Sequence, residues 1–225
     1  MEKLTVIFLT ANEVPDSWSE YQKEVLLKAV GDNPIITVSR KPLSWGENIL
    51  DCEPKTVSNI YHQMLRAAKL STTDYIAIAE DDTLYPYEHF NSFRPPLDTF
   101  SYNINRLGLF TWGKPTYFYK RRHSNSTLVA PRALLIEALE ERFAKWPNGT
   151  PTGITGELGR PNIDKALGIT VRKCVEFETE ASVLRVDHDF GIDTLAKSHR
   201  KGMGIARSYD VPVWGRAEDI VKKFK

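Results

Sequence analysis

The chain has 225 residues and a formal net charge of +1. That length suits one sizeable core, and the near-zero charge gives no overall basic field to demand nucleic acid and no acidic tail. Its two cysteines, Cys52 and Cys174, have neither zinc-site nor disulfide-framework spacing, and no apolar run reaches membrane length. A reduced, cytosolic setting in a bacterial or phage-infected cell is expected, with no transmembrane segment and no obligate protein partner.

Residues 4–9 predict a first buried strand, and Thr10-Ala11-Asn12-Glu13 a loop at its exit. Ser17 and Glu20 have capping-box spacing for a helix to about Val30, with Trp18, Tyr21, Val25 and Ala29 on one face. Residues 35–38 predict a second strand, left through Ser39-Arg40-Lys41-Pro42. This β-α-β order argues for parallel strands. Residues 43–55 lack a period and are expected to be loop. Thr56 is placed to cap a helix whose apolar positions Val57, Ile60, Tyr61, Met64, Leu65 and Ala68 share one face.

Tyr75-Ile76-Ala77-Ile78-Ala79-Glu80-Asp81-Asp82 then runs an uncharged strand into three carboxylates. A short strand apolar on both faces predicts a central place in an α/β sheet, with its end on the ligand edge. Extended alternation puts Glu80 and Asp82 on one face and turns Asp81 away. Such a pair suits a hard divalent cation, Mn²⁺ or Mg²⁺, or else is an acidic turn that ends a strand.

Beyond it, residues 87–93 predict a short helix, residues 107–112 and 115–121 a hairpin about Gly113, and residues 126–130 a strand. Pro131 opens a helix with Leu134, Leu135, Ala138, Leu139 and Phe143 on its apolar stripe. Residues 146–161 hold four Gly and three Pro without a period, and predict a mobile loop that orders on ligand binding, as do residues 191–209. Residues 169–175 and 183–186 predict strands, the latter ending at Asp187-His188-Asp189, and residues 217–224 a closing helix.

Lys41-Pro42-Leu43, Gly46-x-Asn48-Ile49, Asn59-x-Tyr61-x-Gln63 and Glu80-Asp81-Asp82-x-Leu84-Tyr85-Pro86 together resemble GT-A glycosyltransferases, in particular a family-2-like bacterial and phage subgroup. The likeness is closest over residues 39–90, continues more weakly through Tyr102-Asn103-x-Asn105 and residues 134–143, and beyond Pro147 keeps only the general plan. It implies an α/β, Rossmann-like, mixed but mainly parallel sheet flanked by helices in a single domain. Residues 1–90 would then be the nucleotide-sugar half, and residues 91–225 the acceptor half and C-terminal tail.

The implied activity is metal-dependent sugar transfer from a nucleotide diphosphate sugar, a UDP-sugar first, to an acceptor hydroxyl. The acceptor is a saccharide or, as in phage relatives, a hydroxymethylated base in DNA. Asp82 is the main metal ligand by resemblance. Glu80 stands where the family has Asp, and His188, or else Asp187 or Asp189, completes the set. Thr10, Asn12, Arg40, Lys41, Glu80, Asp81, Arg200 and Lys201 are the expected donor contacts. Glu157 is the expected base, with Glu140, Glu141 and Asp164 as alternatives.

The run from Trp112 to His123 alternates aromatics with cations, and Tyr117, Tyr119, Lys120, Arg121 and Arg122 are expected acceptor contacts if it is not simply a hairpin with a solvated basic turn. Two other classes remain open. One is a nucleotidyltransferase, which calls for a Gly-rich phosphate loop that residues 9–15 lack. The other is a non-catalytic nucleotide-sugar or carbohydrate-binding domain.

Overall fold

A computed structural model describes residues 2–151, 154, 156–189 and 206–224. The N-terminal unit is β1 (Leu4–Thr10), α1 (Asp16–Val30), β2 (Ile35–Ser39), β3 (Glu47–Leu50), α2 (Val57–Leu70) and β4 (Tyr75–Glu80). There follow β5 (Thr83–Leu84), α3 (Tyr87–Asn91), β6 (Thr99–Asn103), β7 (Arg106–Phe110), β8 (Tyr117–Tyr119), a 3-10 turn (Asn125–Thr127), β9 (Leu128–Pro131) and α4 (Arg132–Lys145). The chain then runs through α5 (Pro161–Leu167), β10 (Lys173–Phe177), β11 (Val183–Asp187), β12 (Arg207–Ser208), β13 (Asp210–Val211), β14 (Gly215–Arg216) and α6 (Ala217–Lys223).

Seven strands form the main sheet in the order β10-β6-β9-β4-β1-β2-β3, mostly parallel, with β9 running against its neighbours β4 and β6. The expected mixed, mainly parallel α/β sheet flanked by helices is therefore present, with β4 at its centre. Both of its faces are covered. Ile76 and Ile78 pack with Met64, Ala67, Leu135 and Leu139 of α2 and α4. Ala77 and Ala79 pack with Leu26, Ala29 and Val30 of α1 and Phe90 of α3. Complete cover on both faces is why the strand reads as an unbroken apolar run. A second sheet, β12-β8-β7-β11-β5, packs against α6 and Trp18.

Several local expectations differ from the structure. No capping box opens α1: Pro15 is its cap, and the Ser17 hydroxyl donates to the Lys223 carbonyl at 2.9 Å. Residues 47–50, expected as loop, form β3, a half-exposed edge strand held by Asn48, whose amide donates to Thr37 Oγ1 at 2.8 Å and Ser39 Oγ at 2.9 Å. The strand expected at 169–175 lies later, at Lys173–Phe177, because Gly168 and Ile169 close α5 on the Lys165 and Asp164 carbonyls. Thr56 does cap α2, accepting the Asn59 N–H at 3.1 Å. The β7–β8 hairpin forms about Gly113.

Candidate functional site

Three carboxylates leave the centre of the sheet together. β4 ends at Glu80, and Asp81 and Asp82 form a turn before β5. Strand alternation therefore stops at Glu80, and Asp81 does not point away: all three acids line one cavity of about 450 Å³. Thr10 at the end of β1 donates to Asp81 Oδ2 at 2.5 Å. Burial, and then the charge of Asp82, push the Glu80 and Asp81 carboxyls up to about 7 each. Three acids crowded at one strand end cannot all ionise freely without a counter-charge.

Arg185 of β11 supplies part of that charge, and sequence reasoning missed it. Its Nε lies 3.2 Å from Asp82 Oδ2 and 3.4 Å from Asp187 Oδ1, near enough to pair but out of line for a hydrogen bond. The Asp82 carboxylate, acting against the cost of burial, raises the Arg185 guanidinium above its usual range. A lone Arg inside Val183-Leu184-Arg185-Val186 was the available signal, since a charge inside a buried strand needs a partner. Arg106 of β7 is fully buried, and no nitrogen of its guanidinium has a hydrogen-bond partner; burial lowers it to about 10.

The donor-side loops are tied to each other. Asn12, at a left-handed φ of 55°, accepts the backbone N–H groups of Arg40 at 2.8 Å and Lys41 at 2.9 Å. Asn12 therefore welds the β1 exit loop to the β2 exit loop. Asn tolerates this backbone region better than most residues. Arg40 lines the cavity and donates to the Glu53 carbonyl at 2.5 Å. Lys41 is exposed and does not line it. Lys55, not anticipated, does, and pairs with Glu13. Beneath α2 the buried Asp51 gathers Asn59 at 2.7 Å, Gln63 at 2.5 Å and Arg66. Burial alone would raise its carboxyl, but these donors outweigh it and hold it below the usual range. The Asn59-x-Tyr61-x-Gln63 pattern thus serves Asp51 with its first and last members.

Glu157 lines the cavity too. Its neighbours are pinned: Tyr61 OH donates to the Gly156 carbonyl and Tyr102 OH to the Leu158 carbonyl, both at 2.8 Å. Arg160 Nη1 lies 3.1 Å from Glu157 Oε2. The other candidate bases are elsewhere. Glu140 pairs with Lys69, Glu141 with Arg172, and Asp164 is buried near the Arg172 N–H. His188 lines the cavity, stacks 4.9 Å from Phe224, and is held below its ordinary range chiefly by burial. Asp187 is buried against Arg185.

The basic hairpin divides. Tyr117 is fully buried in the core beside α6, away from the cavity. Tyr119 is half-buried in β8 and does not line the cavity. Lys120 is lowered to about 8 by burial, and Arg121 is paired with Glu178 at 3.0 Å. Of the five expected acceptor contacts only Arg122 lines the cavity, with His123 beside it. Arg200 and Lys201 lie outside the described residues.

The donor set, carboxylate oxygens with protons held to near neutrality, fits a hard divalent cation chemically. Glu80, Asp82 and His188 share the cavity, yet among the described residues no three His, Cys, Asp or Glu side chains are gathered as a ligand cluster. Asp82 faces Arg185 instead.

No family model matches the sequence. No curated protein matches it either. Solved structures resembling it include the glycosyltransferase GlyE of Streptococcus pneumoniae TIGR4, with 12% identity over 78% of this chain and 46% of that one, at a TM-score of 0.44. A second is the mannosyltransferase PcManGT of Pyrobaculum calidifontis in complex with GDP-Man and Mn²⁺, with 13% identity over 89% and 61% of the two chains and a TM-score of 0.48. A third is a glycosyltransferase involved in glycosylating the major capsid of PBCV-1, with 12% identity over 98% of both chains and a TM-score of 0.43. Cytidylyltransferases occur among the matched structures as well. The chain spans about half the length of GlyE, at 46%. With TM-scores of 0.44, 0.48 and 0.43, function is argued from the cavity alone.

Proposed function

We propose that the cavity is the active site of a glycosyltransferase that takes a nucleotide diphosphate sugar, a UDP-sugar first, and passes the sugar to an acceptor hydroxyl. One observation carries this reading: Glu80, Asp81 and Asp82 open from the central strand into a cavity also lined by Glu157 and by Arg40, Lys55, Arg122 and Arg185. Acids suited to a cation, several fixed positive charges and a separately anchored carboxylate in one space match the needs of transfer from a diphosphate. The loops holding Thr10 and Arg40 form the donor side, welded by Asn12. Asp82 and Glu80, with His188 beside them, would hold Mn²⁺ or Mg²⁺, which when bound would offset the negative charge of the departing diphosphate. Arg185 holds Asp82 in place and adds a fixed positive charge to the same wall. Glu157, oriented by Arg160, would accept the proton of the acceptor hydroxyl.

The acceptor we favour is a saccharide rather than modified DNA. Arg121 is already paired with Glu178 and Lys120 is partly buried, so the basic run offers only Arg122 to the cavity. Nucleotidyltransfer is less well supported, because the β1 exit loop bears no Gly-rich turn and is fastened by Asn12. The test is Asp82→Asn, assayed against a panel of nucleotide sugars with Mn²⁺. Transfer should fall by about 10²-fold or more, while the melting temperature stays close to that of the parent because Asp187 still pairs with Arg185. Undiminished transfer in Asp82→Asn, or in excess EDTA, would remove the metal from this reading.

A further inference from the structure

A second cavity, of about 280 Å³, shares Tyr61 and Gly156 with the first. Arg142 of α4 lines it while only 2% exposed. The guanidinium stacks 4.8 Å from the Tyr61 ring, and Nη1 donates to the Gly156 carbonyl at 3.3 Å. Nε and Nη2 have no hydrogen-bond partner. Burying a guanidinium with donors unmet is costly, so a group that meets them would be bound. Nearby, Asp164 is engaged with the Arg172 N–H at 3.4 Å.

The start of α2 meets the same space. Thr56, Val57 and Ser58 line it, and α2 runs for 14 residues from there. Thr56 Oγ1 takes the Asn59 N–H, whereas the Val57 and Ser58 N–H groups belong to a first turn that has no carbonyl partners within the helix. The positive end of the helix and a buried cation therefore face one cavity, and no acidic residue is among the described residues lining it. Both features select an anion with several acceptor oxygens, and a fork of guanidinium donors suits a phosphate group. Trp146 lines the cavity too and gives it an aromatic wall.

We propose that this second cavity is an oxyanion site that takes a phosphate group on Arg142 and the first turn of α2. The site stands apart from sugar transfer, and its test needs neither donor nor turnover. Tryptophan fluorescence of the full chain is followed while inorganic phosphate is added at fixed ionic strength. A saturable change is expected that Trp146→Phe abolishes and that Arg142→Met and Ser58→Asp weaken by about tenfold or more. Ser58→Asp places a carboxylate in the first turn, where the helix favours it, so that variant folds even if Arg142→Met does not.

A second titration with a hexose 6-phosphate separates the two sources of the group. Tighter binding than inorganic phosphate assigns the site to a phosphate-bearing ligand, and equal binding assigns it to the free anion. No saturable change in the parent chain, a signal that persists in Trp146→Phe, or undiminished affinity in Ser58→Asp overturns the proposal and leaves Arg142 as a strut for the Gly156 carbonyl.

Discussion

Glu80 and Asp81 hold their protons far more tightly in the folded chain than carboxyls ordinarily do, because burial and the charge of Asp82 oppose their ionisation. The consequence for stability has a definite sign. Between the usual carboxyl range and pH of about 7 the folded chain binds more protons than the unfolded one, so stability falls as pH rises through that window. The metal-free protein should melt at a lower temperature at pH 7.5 than at pH 5, and Asp81→Asn should flatten that drop. Added Mn²⁺ should raise the melting temperature more at pH 7.5 than at pH 5, since ligation requires the deprotonated acids. A melting temperature independent of pH over this range would mean the carboxylates are not crowded as described. The acidic triplet was plain in the sequence, but its counter-charge was not. Arg185 lies about a hundred residues downstream, and only the β11–β5 pairing, with Arg185 opposite Thr83, brings it to Asp82.

Elements whose side chains alternate or repeat against one core could be read from the sequence: β1, α2 and β4 each bury a regular pattern. β6 could not, because Thr99, Ser101 and Asn103 are polar yet buried. Their groups are satisfied at long range: Ser101 donates to the Val129 carbonyl at 2.6 Å and Asn103 to Thr179 Oγ1 at 2.7 Å. Nothing local announces such a strand. The β7–β8 hairpin was legible from Gly113, but its packing depends on another glycine. A Cβ on Gly108 would fall 2.3 Å from Cζ of Phe118, the buried residue opposite it. Gly108→Ala should therefore destabilise the fold by roughly 1–3 kcal/mol through overpacking. Urea denaturation measures this, and Phe118→Leu in the same chain should recover part of the loss. Equal stability of Gly108→Ala and the parent would show that the hairpin has room to spread.

At the scale of the whole molecule, the candidate site is assembled from strand ends and loops that meet only after folding. Glu157 shows this most clearly. Its Gly- and Pro-rich surroundings read as a mobile loop, and composition alone gives no reason for a fixed carboxylate there. The reason lies at a distance: Tyr102 in β6 and Tyr61 in α2 each bond a carbonyl flanking Glu157, 56 and 95 residues away in the chain. Each such bond to a buried carbonyl contributes on the order of 1 kcal/mol, and losing the donor leaves the carbonyl unmet. Tyr102→Phe removes one of them while keeping the ring that stacks on His123 at 4.6 Å. Global stability should fall by only about 1 kcal/mol, because the sheet packing is untouched. Amide exchange at residues 156–160 should nonetheless speed up well beyond that of β4, as a local opening does. If Glu157 takes the acceptor proton, transfer should drop with it, with the loss falling mainly on kcat, since the donor loops at Thr10 and Arg40 do not touch this anchor. Exchange in residues 156–160 that matches the parent would mean Tyr61 and Arg142 suffice to hold the segment, and the kinetic loss should then be absent as well.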